Sequence, residues 1–374
     1  MDLIELHILH SFPVTCLNRD DVGAPKSARF GGVQRARVSS QCWKRAIRAL
    51  AGEYAPEHFA GERSRYVVTA LNARFVAAGM PESQARTLAI ATADAIGKLD
   101  DPEQGNVKTL LFYSPMQLDK LVVAVAELGL SIEDLAALNS DDGGEGKKRK
   151  GKVKGNPADR LKKAVKALGA PVRDAADIAI FGRMVADDDT LTVEAAGLFS
   201  HALSTHAVSS ELDFFSAVDE RKPIGDDAGA GHIGTLEFNS ACYYRYVGLN
   251  LDMLMDSEHL GHFTPDERAH TVGAFIRASL LAVPGARKNS MFGFNPPVFT
   301  LGLRRRGQPL SLVNAFESPV ASPRGGYCER SKDLLMAHWK SLCTTYGLSA
   351  GAELCTPPST MDELIGALAG EIGR

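Results

Sequence analysis

The stretch "TLEFNSACYYRYVGLNL", residues 235–251, decides the fold. Leu236 and Phe238 alternate with polar neighbours, and aromatic side chains continue the run beyond them. A period of two with aromatic enrichment predicts a strand, and it is the strongest strand signal in the chain. Upstream, "MDLIELHILHSFP" (1–13) puts Ile4, Leu6 and Ile8 on one face and reads as another strand. Downstream, "TPDERAHTVGAFIRASLLAV" (264–283) is a marked helix: Thr264 caps it, Pro265 takes the first turn and Glu267 completes a capping box. "PVFTLGLR" (297–304) predicts a strand, and two helices near 330–347 and 360–371 close the chain.

Between the first strand and a helix starting at "SSQCWKRAIRAL" lies a Gly- and Arg-rich loop reaching residue 38. Ser39 or Ser40 caps that helix, Trp43, Ile47 and Leu50 recur at helical spacing, and Lys44, Arg45 and Arg48 fall on the wet face. From 59 to 175 Ala-rich helical patterns dominate, with Pro81 and Pro115 in first-turn positions and Ser131 with Asp134 as a capping box. "NSDDGGEGKKRKGKVKGN" (139–156) has no apolar period and is expected to be a loop. "DIAIFGRM" (177–184) then reads as a strand, and "TLTVEAAGLFSHALST" (190–205) is partly β-like, its alanines leaving helix open. Without 59–175 the order is strand, helix, strand, strand, helix, strand. That is the βαββαβ ferredoxin-like order, shared with RNA-recognition motifs.

The chain carries a net charge of −3, but from Arg19 to Arg48 eight Lys/Arg stand against Asp20 and Asp21, so this window is +6 and the remainder −9. Phosphates call for cations and exposed N–H donors. Arg19, Lys26, Arg35 and Arg37 come from the loop, Gly31-Gly32 permit close backbone approach, the Ser39–Gln41 helix start offers donors, and Lys44 and Arg48 follow one turn apart. A solvated basic surface is the plainer reading. The acidic remainder and this convergence favour an anion or nucleic-acid role. "KKRKGKVK" (147–154), extended by Lys162, Lys163 and Lys166, is first a solubilising loop and second a weak attractor of nucleic acid.

Other chemistry finds little support. The six cysteines form no C-x-x-C pair, so reduced thiols and a cytoplasmic location are expected. His259 and His262 form H-x-x-H without further ligands at metal spacing, and nucleophile elbow and P-loop motifs are absent, so no metal, cofactor or catalytic residue is expected. No apolar run nears the roughly 20 residues of a membrane span. "ELDFFSAV" (211–218) and Met184 are apolar side chains that either pack in the core or wedge between bases.

"CLNRDD", "FGG", "RARVSSQ", "KRAIR", "DIAIFGRM", "SHALSTHAV", "DFFSAVD", "GHIGTLEF", "YYRY", "VPGAR" and "FNP" occur in this order from residue 16 to 296. In these segments the chain resembles the CasC family, the backbone subunit of the type I-E CRISPR Cascade complex. The resemblance runs from residue 1 to at least 317 and is weakest in the helical block. It implies an α+β fold: a modified RNA-recognition-motif palm (1–58, 176–204 and 239–374, the last with C-terminal helices), helical fingers inserted at 59–175, and a β-hairpin thumb at 205–238. It implies copies stacked head to tail along a CRISPR guide RNA, kinking it at intervals and presenting it for pairing with target DNA. The implied partners are other copies of itself and the large, small, RNA 5′-end and RNA 3′-end Cascade subunits, with no membrane; the subunit itself is not a nuclease.

By matched motif, Arg19, Lys26, Gln41, Lys44 and Arg48 would hold guide phosphates, with Ser39 and Ser40 nearby. Met184 and Phe214 or Phe215 would pack against bases beside the kink, and Arg287 and Lys288 of "GARKNS" would add contacts. The Lys147, Lys148, Arg149 and Lys150 cluster matches no family motif; with Lys162, Lys163 and Lys166 it is assigned to attracting double-stranded DNA. Arg35 and Arg37 keep two readings, struts of the loop or contacts to the next subunit. "MFGF" (291–294) only echoes the aromatic signature of an RNA-recognition motif. The alternative is a metal-dependent, target-RNA-cleaving backbone as in type III complexes, with Asp187–Asp189, Asp213 and Asp219 as candidates.

Overall fold

A computed structural model describes residues 1–101, 105–131, 133–134, 138, 156–185, 188–217, 232–321, 325–370 and 372. They divide into two compact units, one of Met1–Tyr54, Gly197–Asp252 and Pro265–Arg374, the other of Ala55–Ala196 and Met253–Thr264.

The first unit is built on a nine-stranded sheet. Its elements are β1 (Asp2–Thr15), β2 (Ser27–Phe30), β3 (Val33–Val38), α1 (Ser40–Tyr54), β4 (Gly197–Phe199), β5 (Ala202–Ser204), β6 (Glu211–Ala217), β7 (His232–Asn250), α2 (Pro265–Leu281), β8 (Phe299–Arg306), α3 (Cys328–Tyr346), β9 (Ala352–Thr356) and α4 (Met361–Ala369). The path is β9-β8-β1-β7-β5-β3-β2, with β4 and β6 also paired to β7 and every pairing antiparallel. Reading β1, α1, β4/β5, β7, α2, β8 along the chain recovers the βαββαβ order.

The deciding stretch is most of β7. Its C-terminal half pairs with β1 from Leu3↔Asn250 to Thr15↔Asn239, and its N-terminal half pairs with β6 from Glu211↔Phe238 to Ala217↔His232. One strand therefore passes from the sheet into a hairpin, with a bulge at the junction: Pro13 and Val14 of β1 and Ser240 of β7 fall outside the register between Phe12↔Ala241 and Thr15↔Asn239, and Ser240 Oγ donates to Phe12 O at 2.9 Å. The hairpin's far part, 218–231, lies outside the described residues.

β1 does not have the single buried face that its alternation predicts: Leu3 through His10 are all buried. Register explains this. Ile8 lies opposite Arg245 and His10 opposite Tyr243, so Ile4, Leu6, Ile8 and His10 face α1, α2 and α4. On that side Arg245 lies over the Trp43 ring at 4.1 Å and donates to Ser279 O at 2.7 Å, and α4 packs Leu364 on Gly302. Leu3, Glu5, His7 and Leu9 face the other way, into a cluster of Tyr244, Tyr246, Phe299, Leu301, Leu303, Leu312, Phe316, Leu335 and Trp339. Polar side chains pin this second cover. Glu5 accepts from Tyr246 OH at 2.7 Å, Leu310 N at 2.8 Å and Arg305, and Tyr244 OH accepts from Leu312 N at 2.8 Å. Both faces of the sheet are thus covered, and the tyrosines of "YYRY" are core.

The Gly- and Arg-rich loop contains a hairpin that charge concealed: β2 and β3 pair through Phe30↔Val33, leaving Gly31 and Gly32 as a two-residue turn with φ +59° and +77°. Positive φ at both central positions is the type I′ turn that Gly-Gly permits.

In the second unit, helices Val67–Ala77, Glu82–Gly97, Pro115–Ala126 and Pro157–Val165 bury Leu71, Phe75, Leu88, Leu121, Val125, Leu161 and Val165 together. Pro115 stands at a first turn under a Ser114–Gln117 capping box, whereas Pro81 is itself the N-cap residue. "DIAIFGRM" is not a strand: Ala176–Phe181 is a short helix, stopped by Gly182 at φ +78°. All six helical residues are buried, Asp177 included, and so short a buried run carries no period that separates strand from helix.

Candidate nucleic-acid interface

The basic stretch folds as loop, hairpin and helix around the start of α1. Ser39 is the N-cap residue: its Oγ accepts from Cys42 N at 3.3 Å. The neighbouring donors are also occupied, Ser39 N by Asn18 Oδ1 at 2.9 Å and Ser40 N by His201 Nδ1 at 3.0 Å. The helix start is therefore mainly an internal staple rather than the anion cradle its sequence predicts. Gln41 presents an exposed side chain beside it.

Residues 17–23 form a tight turn in front of this start. Asp20 Oδ1 accepts from Val22 N at 3.1 Å and Ala24 N at 2.8 Å, which holds the exposed Arg19 on the rim. Arg287, at φ +51°, reaches across from its own loop and donates to Gly23 O at 3.4 Å. Leu17–Gly23, Cys42, Ala286 and Arg287 line an open cleft of about 680 Å³. Burial pushes the Cys16 thiol up, and the Arg287 and Arg19 charges pull it back down, so both cations act on one spot. Lys26 lies on the other flank: its charge and that of Arg37 add to burial in holding the His201 imidazole below its ordinary range. Lys288 is exposed beside Arg287. The structure thus brings Arg19, Lys26, Gln41, Arg287 and Lys288 to one end of the first unit.

Lys44 and Arg48 are half-buried rather than on a fully wet face. Lys44 Nζ sits over the Phe199 ring at 5.0 Å, and Arg45 is the more exposed cation of the helix. Arg35 belongs to the scaffold. Its guanidinium is fully buried and donates to four backbone carbonyls, Phe30 O (3.1 Å), Ser204 O (3.1 Å), Phe316 O (2.8 Å) and Glu317 O (3.2 Å). Arg37 Nε donates to Ser27 O at 3.3 Å and braces β2. The close approach of Gly31 is also internal: a Cβ there would stand 1.6 Å from Glu317 O.

Phe214 and Phe215 are neighbours on β6 and so point to opposite faces. Phe214 shares its face with Leu212 and Thr235 and is 66% exposed. Phe215 lies across Gly234, where an added Cβ would meet its ring at 2.5 Å. Met184, in the second unit, is 84% exposed. Lys162, Lys163 and Lys166 are exposed on the flank of their helix away from buried Leu161 and Val165. Lys147, Lys148, Arg149 and Lys150 lie outside the described residues, as do Asp187 and Asp219. Asp188 is used in a turn, accepting from Thr190 N at 2.9 Å and Thr190 Oγ1 at 2.6 Å. Among the described residues no three His, Cys, Asp or Glu side chains gather as a metal site, and no helix is long and apolar enough to cross a membrane. Phe292 and Phe294 of "MFGF", which in sequence only echo an RNA-binding signature and carry no assigned role, are both exposed; their signal is an aromatic pair closely following Arg287 and Lys288.

A family model, that of the CT1975-like protein, matches residues 4–366. The chain belongs to that family. No curated protein matches it. Two solved chains share the family fold. One, from a "CRISPR RNA-guided surveillance complex, pre-nicking", is 28% identical with a TM-score of 0.75, over 93% of this chain and 90% of that one. The other, from a "CRISPR RNA-guided surveillance complex", is 23% identical with a TM-score of 0.65, over 97% and 94%, and bears on the fold alone.

Proposed function

We propose that this chain is a guide-RNA-binding backbone subunit of a type I-E CRISPR surveillance complex. The observation that carries the proposal is the convergence of Arg19, Lys26, Arg287 and Lys288 at the α1 end of a sheet whose faces are both covered. Such a surface grips a phosphate backbone at loops and leaves bases unread, as a guide of arbitrary sequence requires. The similarity over nine-tenths of a solved surveillance-complex chain supports the same reading.

In this reading copies stack head to tail along the RNA in the cytoplasm, together with the large, small and RNA-end subunits. The β6–β7 hairpin folds over the guide, and the exposed Phe214 displaces a nucleotide at each repeat. The remaining bases pair with target DNA. The chain positions RNA and cuts nothing itself. Purification from its own host and sequencing of the bound RNA tests the proposal: repeat-flanked guides are expected, and bulk cellular RNA would overturn it. Incubation with guide-complementary RNA and Mg²⁺ tests the non-catalytic part, which regularly spaced cuts would refute.

A further inference from the structure

We infer that Phe292 and Phe294 form a base-stacking platform for single-stranded RNA, beside the cleft that holds Arg19 and Arg287. The inference rests on the guide-RNA reading above and adds to it a second pair of aromatic contacts, separate from the hairpin.

The two rings are 76% and 52% exposed, on a segment without helix or strand. Burial of such rings is strongly favoured, so a chain free to relax would turn them inward. Here the backbone prevents it. Ser290 N and Met291 N both donate to Arg287 O, at 3.1 and 2.8 Å, closing a turn before the pair. After the pair, His10 Nε2 bonds Asn295 O at 2.6 Å, and Val298 N donates to Leu9 O at 3.0 Å. Between the rings, Gly293 presses against the end of β1: a Cβ there would stand 2.2 Å from Thr15 Cγ2. The glycine faces inward, and its two aromatic neighbours are held outward at fixed positions.

Exposed aromatics alone would suit a protein partner equally. The surroundings select a polyanion. Residues 283–298 contain Arg287 and Lys288 and no Asp or Glu. Thr15, under Gly293, is followed by Cys16, on which the Arg287 and Arg19 charges act more strongly than those of Asp20 and Glu237. Aromatic faces next to a cationic track are what sequence-tolerant single-strand binding uses, because every base offers a π-face.

The experiment compares a mixed-sequence single-stranded RNA with a matched strand carrying abasic sites, using the full chain. Stacking contributes about 1–3 kcal/mol per base, so wild type should bind the abasic strand about tenfold or more weakly. Phe292→Ala/Phe294→Ala should lose affinity for the intact strand and most of the discrimination, and adding Phe214→Ala should remove the rest. Phe292→Trp/Phe294→Trp should keep the discrimination and Phe292→Leu/Phe294→Leu should lose most of it. Gly293→Ala keeps both rings but lifts the segment off Thr15, and it should also lose discrimination. If wild type binds both strands equally, the platform is refuted and the guide-RNA reading stands. If wild type binds neither strand, both fall. If the double alanine variant retains the discrimination but self-associates less in sedimentation, the patch belongs to a second copy of the chain and the inference is wrong.

Discussion

Replacing Arg35 separates scaffold from RNA contact within one basic segment. Arg35→Ala removes a charged donor from the four carbonyls of Phe30, Ser204, Phe316 and Glu317. Hydrogen bonds to a charged group are worth about 1.5–3 kcal/mol each, a gross loss of roughly 6–12 kcal/mol. Burying the guanidinium opposes this, and burial indeed lowers its pKa. Water entering the vacated space re-satisfies some carbonyls. The net destabilisation is then about 3–4 kcal/mol, within the range for breaking a buried polar network. At about 2–4 °C per kcal/mol for a unit of this size, Tm should fall by roughly 6–16 °C. Arg35→Lys should lie between, since one ammonium cannot span carbonyls on three segments. Differential scanning calorimetry gives the stability, and RNA titration below the unfolding transition gives the affinity. A variant with wild-type Tm, weaker RNA binding and a flatter salt slope would refute the strut and make Arg35 a phosphate ligand.

Arg19→Ala and Lys26→Ala should leave Tm within about 1 °C and weaken RNA of every sequence alike, each flattening the plot of log K against log salt by ~0.7. The check is fluorescence anisotropy over a salt series, and an effect confined to one sequence would contradict it. Phe214→Ala should be neutral for stability but reduce RNA affinity severalfold, whereas Phe215→Ala, uncovering Gly234, should loosen the hairpin by about 1 kcal/mol. Amide exchange at Thr235 and Leu236 reads the difference. His7 and His10 are buried and held neutral, each with its pKa lowered to about 3 by burial and by a neighbouring arginine, Arg305 or Arg245. The unfolded chain therefore binds more protons between pH ~3 and ~6.5, so stability is full above ~6.5 and falls by ~1.4 kcal/mol per pH unit per ring below it. His10→Gln should remove one such slope from the acid limb of urea midpoints, and an unchanged limb would show that His10 does not titrate this way.

What the sequence made legible follows what periodicity can carry. β7, α1, α2 and β8 are long and patterned, so they were readable from alternation or helical spacing. Ala176–Phe181 was not, because a buried six-residue run has no period to read. The β2–β3 hairpin was missed because Arg29, Arg35 and Arg37 drew attention to charge, although "FGGV" carries a type I′ turn signal. Charge counting drew out a basic segment but could not sort its members. Arg35 looks like Lys26 in sequence, and only the four carbonyls around it make it structural. Lys44 is likewise recognisable as half-buried only once Phe199, far away in the chain, lies beneath it. Of the second cover of the sheet only the helix carrying Leu335 and Trp339 was readable, since Leu310, Leu312 and Phe316 sit in a stretch without regular period.

The unbroken passage of β7 from sheet to hairpin has a mechanical consequence. Partner changes from β1 to β6 between Asn239 and Phe238, next to the bulge at Ser240, so the root is continuous in β7 but irregular against β1. The hairpin is an arm carried on one continuous strand, and the bulge beneath it is the place where a load on the arm bends it first.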